Sequence, residues 1–147
     1  MRGSEADRGF EYRDHTADVQ IHSWGTSLKE AFANAALGMT NVLTPIDAVC
    51  ATESFAFEAE GHDVESLLFA FLDECLFQFH SELRVCQSMK ITHFSRSPWK
   101  ISAEGTGEIF DPSRHESGTE VKAVTYSAMK VVEGLEGQAE VFVIVDI

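Results

Sequence analysis

The chain has 147 residues, 44% of them hydrophobic and 11 of them phenylalanine, with 24 acidic against 11 basic side chains for a formal net charge of −13. That length and apolar content suit one domain with a substantial core and exclude wholesale disorder, and no apolar run reaches the roughly 18 residues of a membrane span. An acidic balance with no Lys/Arg cluster disfavours direct nucleic-acid binding, which needs a basic face, and favours metal cations and basic protein surfaces as partners.

Residues 1–9 read as a polar, flexible N-terminal tail with no apolar signal segment, leaving 10–147 as a single folded domain. Ala17, Val19 and Ile21 alternate with Asp18, Gln20 and His22, the pattern of a half-buried strand. Ser27-Leu-Lys-Glu30 is a capping-box pattern that opens a helix. Its apolar stripe runs through Leu28, Ala31, Phe32, Ala35, Met39, Val42 and Leu43, and Pro45 closes it. Phe55 to Ala59 alternates as a second strand. Asp63 is the N-cap candidate of a second helix, whose stripe is Val64, Leu67, Leu68, Phe71, Leu72, Cys75, Leu76 and Phe79.

Val85–Phe94 and Trp99–Glu104 read as a hairpin turned by Ser95-Arg-Ser-Pro98. Gly105-Thr-Gly107 and Ser113–Gly118 read as loops, Val121–Tyr126 and Val141–Val145 as strands. The expected architecture is α+β: a largely antiparallel sheet covered by two helices.

Cys50, Cys75 and Cys86 are odd in number and widely spaced, with no C-x-x-C pair, so neither a zinc cage nor a disulfide framework is expected. A reduced intracellular compartment is the simplest reading, and Cys75 is expected to pack as a small hydrophobe. Asp73 and Glu74 lie off the helical stripe; as a pair they suit either acid–base work or, more commonly, a solvated helix face. The histidines share no ligand spacing, no nucleophile–base set is arguable, and Gly105-Thr-Gly107 lacks the Lys-Ser/Thr of a phosphate loop.

The segment Asp14-His-Thr-Ala-Asp18 packs two carboxylates and an imidazole into five residues. Oxygen-rich clusters suit hard divalent cations, although Asp14 as a turn residue and Asp18 as a solvated strand position are the plain alternatives. At the other end, Val141–Ile147 is an apolar strand, and if Ile147 is the natural last residue its main-chain carboxylate lies beside Asp146. Two negative groups at one strand tip are costly unless a cation or partner neutralises them. If the strands of Asp18 and Asp146 are neighbours, three carboxylate groups converge; periodicity does not say whether they are.

Asp14-His-Thr-Ala-Asp18-Val, Ser66-Leu-Leu-Phe with Phe71-Leu-Asp-Glu74, Gly118–Met129 and the closing Val-Phe-Val-Ile-Val-Asp-Ile147 together resemble the archease family, in order, from about Phe10 onward. The sequence departs from that pattern at Cys75 and Glu116, both away from the cation residues. The resemblance implies a small acidic α+β protein that is not itself an enzyme. It implies a cofactor of an RtcB-type RNA ligase in tRNA splicing, promoting ligase guanylylation with GTP and multiple turnover. It carries a divalent metal site (Ca²⁺, Mg²⁺ or Mn²⁺) onto Asp18, Asp146 and Ile147, with Asp14 and His15 as support. The expected partner is the ligase or its complex, with no direct nucleic-acid or membrane contact, in the cytoplasm and/or nucleus. The rivals are a chaperone-like module for RNA-processing enzymes with a structural metal, and a metal-dependent hydrolase.

Overall fold

Eight strands and two long helices follow one another in the computed structural model, which describes residues 9–14 and 18–147, with 13 and 14 described by their main chain. The order is β1 (Phe10–Asp14), β2 (Asp18–Gly25), α1 (Leu28–Leu43), a short 3-10 turn (Ile46–Ala48), β3 (Glu53–Glu60) and α2 (Val64–Glu82). There follow β4 (Arg84–Arg96), β5 (Trp99–Ile109), β6 (Ala123–Val124), β7 (Lys130–Glu133) and β8 (Ala139–Asp146). The first eight residues of the expected tail lie outside the described residues, as does His15. Gly9 is tied in: its carbonyl accepts from the Trp24 amide at 2.7 Å.

The fold is α+β, and all its strand pairings are antiparallel. The strands divide into two sheets rather than one. The larger has β1, β2 and β8 side by side, with β6 and β7 sharing the far edge of β8; the smaller is β3-β5-β4. Helix α1 packs on β2 and β8 of the larger sheet and on β4 of the smaller, and α2 lies on β3 and β5 while touching β6 and β7. Helix α1, packed between both sheets, therefore buries more than one stripe. In α1 the buried set adds Ala33, Ala36, Gly38 and Thr40 to the expected face.

Local chemistry sets the helix ends. Ser27 Oγ accepts from the Glu30 amide at 3.1 Å. Glu30 reaches back one residue further than a standard capping box, accepting from the Thr26 amide at 2.5 Å. Asp63 caps α2 from its side chain, and Ser66 Oγ returns the bond by accepting from the Asp63 and His62 amides. The end of α1 lacks a glycine cap; instead the Gly118 and Thr119 amides donate to the carbonyls of Leu43 and Val42, both at 2.8 Å. The expected Val121–Tyr126 strand shrinks to Ala123–Val124, flanked by the Lys122 and Thr125 amides, which donate to Asp146 O and Ile144 O at 2.8 and 3.0 Å. Residues 118 and 119 serve a helix end, not a ladder.

The pair Asp73-Glu74 divides. Asp73 is exposed, whereas Glu74 accepts from the buried Gln78 amide at 2.8 Å. Gln78 Nε2 also donates to Ala56 O on the outer edge of β3, and its Oε1 accepts from Arg84. Glu74 thus satisfies a buried polar side chain that closes a sheet edge. Cys75 is buried among apolar residues, as expected, and burial pushes its thiol well above the usual range.

Candidate metal centre and its surroundings

Strand register answers the question periodicity left open. β2 and β8 are neighbours, and Asp18 stands directly across from Asp146 as the last rung of that ladder. Alternation places both on one face: Ala139, Val141, Val143 and Val145 are buried toward the helices, while Glu140 and Asp146 are exposed on the other side. Cβ atoms of directly opposed residues lie about 5 Å apart, and like charges so placed repel. Asp18 Oδ1 is shielded from solvent and Asp146 is exposed, so the pair spans the boundary between protein and water.

The next residue completes the tip. Ile147, next along the chain from Asp146, is partly buried and packs on the core. On the far side the Lys122 amide donates to Asp146 O at 2.8 Å, and Ala123 pairs with Asp146, so the tip is held from both flanks. The donor set is all oxygen, the chemistry of a hard divalent cation. Among the described residues no three His, Cys, Asp or Glu side chains gather as a metal cage. The two carboxylates fit such an ion only with main-chain oxygen or water completing its shell, which is the role the sequence reading gives Ile147. Asp14 ends β1, paired with Val19.

Further along the same sheet face, His22 bridges three strands. Its ring nitrogens lie 2.6 Å from Glu11 and 2.8 Å from Glu140, and the ring stacks on Phe142 with 4.3 Å between centroids. This clasp joins β1, β2 and β8 across the rungs that lead to the Asp18–Asp146 pair.

A second polar cluster pins the loop after β5. Glu108, only 7% exposed, accepts from the Cys50 amide at 2.7 Å, from His115 Nε2 at 2.9 Å and from Arg114. His115 Nδ1 accepts from the Asp111 amide, which assigns the proton to Nε2. These bonds, with the Cys50 amide and then His115 contributing most, hold the Glu108 carboxyl at about 2 instead of 4.5. A carboxylate whose value is depressed on folding stabilises the fold above its unfolded value, and that stability is lost as pH falls toward the folded value. Glu108→Gln is therefore expected to be less stable than the unmodified chain at pH 6, with the difference shrinking between about pH 4.5 and 2. Urea melts across that range check it; a difference that does not change with pH would contradict it. Nothing in the spacing of Cys50, Glu108 and His115 announces this cluster.

None of the helices is long and apolar enough to cross a membrane, among the described residues. The model of the Archease protein family matches residues 10–147. The chain is 51% identical over 140 residues to the protein archease-like of Drosophila melanogaster, covering 94% of this chain and 90% of that one. It is 48% identical to the protein archease of Danio rerio, with 94% and 85% covered. To that of Thermococcus kodakarensis it is 35% identical, with 89% and 93% covered. The solution structure of Methanobacterium thermoautotrophicum protein 1598 superposes with a TM-score of 0.76 at 33% identity, covering 95% of this chain and 99% of that one. With a family match spanning both sheets, both helices and the Asp18–Asp146 tip, the chain belongs to the archease family.

Proposed function

We propose that this protein is a non-enzymatic, intracellular activator of an RtcB-type RNA ligase in tRNA splicing, promoting guanylylation of the ligase with GTP and its multiple turnover. The observation that carries the reading is the rung Asp18–Asp146, with Ile147 packed beside it. Family membership supports an accessory role; the tip supplies a chemical means. Asp18, Asp146 and the main chain of Ile147 would hold a divalent cation, Ca²⁺, Mg²⁺ or Mn²⁺. Such an ion, when bound, supplies charge neutralisation to phosphate oxygens. The chain's own residues present that position: β2 and β8 fix the two carboxylates, Ile147 anchors the end in the core, and the Lys122 amide holds Asp146 in line.

The net charge of −13 fits an acidic protein that docks on a basic, RNA-binding ligase without competing for its RNA. Transfer of labelled guanylate from GTP to the purified ligase tests the reading. The unmodified chain should accelerate it and Asp18→Ala should not. Equal acceleration by both would remove the tip from the mechanism, and acceleration by neither would remove the ligase.

A further inference from the structure

The last turns of α1 and α2 and the segment 110–120 enclose a cleft of about 300 Å³, lined by Leu43, Phe79, His80, Phe110 and Glu120 with residues 117–119. Its walls are aromatic. Phe79 meets Phe110 edge-on with 5.8 Å between ring centroids, and His80 at 5.5 Å. Its electrostatics are negative. Glu120 lines it, and two helices end beside it, the last carbonyls of α1 already taking the Gly118 and Thr119 amides. The last turn of α1 has no basic residue, and that of α2 has only His80.

The arginines around the cleft are committed elsewhere, while Lys122, two residues beyond Glu120, is exposed. His80 Nε2 faces Val121 O at 3.0 Å, Arg114 pairs with Glu108, and Arg84 reaches Gln78 with its guanidinium over the Phe55 ring. Glu120 at the cleft is exposed and forms no ion pair among the described residues.

We propose that this cleft receives an arginine side chain from a basic protein partner. The aliphatic stem packs on Leu43 and Phe79, and the guanidinium takes an aromatic face and Glu120. Arginine suits the site better than lysine, because its planar, weakly hydrated head stacks on aromatic rings. A volume of about 300 Å³ suits one long side chain better than a whole helix about 10 Å across. The net charge of −13 selects a positively charged partner and disfavours a second copy of this chain. The proposal is independent of the cation tip at Asp18 and Asp146.

The test titrates the whole chain with N-acetyl-arginine N-methylamide and with its uncharged norleucine equivalent, following the aromatic carbon–proton resonances of Phe79 and Phe110. The arginine compound should shift both rings saturably. Replacing it by the norleucine compound, or Glu120 by glutamine, should each weaken binding about fivefold. Phe110→Leu keeps an apolar wall without the ring face and should weaken it similarly. Equal binding of the norleucine compound, unmoved rings, or indifference to Glu120→Gln would each overturn the assignment. So would a dimer in sedimentation equilibrium that Glu120→Lys dissolves, which would give the cleft to a second copy.

Discussion

Gly107→Ala is expected to destabilise the fold by about 3 kcal/mol, one of the largest effects of a single methyl group in this chain. Gly107 lies on the central strand β5 opposite Cys86, next to the irregularity between Cys86 and Ser88 in β4. A Cβ built there would stand 1.8 Å from Val85 O and 2.7 Å from Cys86 Cα. Both are main-chain atoms of the neighbouring strand, so relief requires β4 to move. That movement would break a ladder which also carries the Thr52 amide on Gly107 O at 3.0 Å. For a chain of this size about 3 kcal/mol corresponds to a melting temperature lower by roughly 10 °C. Gly134→Ala is the control, because its Cβ would meet only the Gln138 side chain at 3.1–3.2 Å. Thermal and urea melts of the two variants check this. A Gly107→Ala loss below about 1 kcal/mol would show that the β4 irregularity absorbs the methyl group.

The second large effect concerns the tip. Asp18→Asn is expected to be at least as stable as the unmodified chain in chelator, and to lose the stabilisation that divalent cations give. The first half follows from register: two carboxylates face each other across one rung, and removing one charge relieves a repulsion of about 0.2–1 kcal/mol. The second follows from mass action. An ion that binds only the folded chain adds about 2.7 kcal/mol at a hundredfold excess over its dissociation constant. Melting curves in chelator and then in rising Ca²⁺, Mg²⁺ or Mn²⁺ read both. Equal gains in the two proteins, or none in the unmodified one, would place no cation at this tip.

How far these features were legible depends on how local their causes are. The helix starts at Ser27 and Asp63 and the stripe of α2 lie in runs of a few residues and emerge as read. The hairpin is there too, with its turn narrowed from Ser95–Pro98 to Ser97-Pro98. The chemistry of the tip was legible too, as carboxylates near each end of the domain. Their adjacency was not, because it is a pairing across more than a hundred residues that no periodicity encodes. The division into two sheets escaped for the same reason: β3 and β2 carry the same alternation and join different partners.

The strand β1 went unread, and so did β7, whose run Lys130-Val-Val-Glu133 is too short to show a period. The strand read at Val121–Tyr126 shrank to Ala123–Val124, and just before it the Gly118 and Thr119 amides serve the end of α1. Gln78 and Glu108 look like surface residues in sequence. Only packing reveals that each is a buried hub, satisfied by partners on other elements.

The most direct measurement of the central claim is RNA ligation under multiple turnover by the cognate RtcB-type ligase, with GTP and divalent cation. It is run with no addition, with the unmodified chain, and with Asp18→Asn verified as folded. The expected result is sustained turnover with the unmodified chain and a single round or little more in the other two. Sustained turnover with Asp18→Asn, or no stimulation by the unmodified chain, would contradict it.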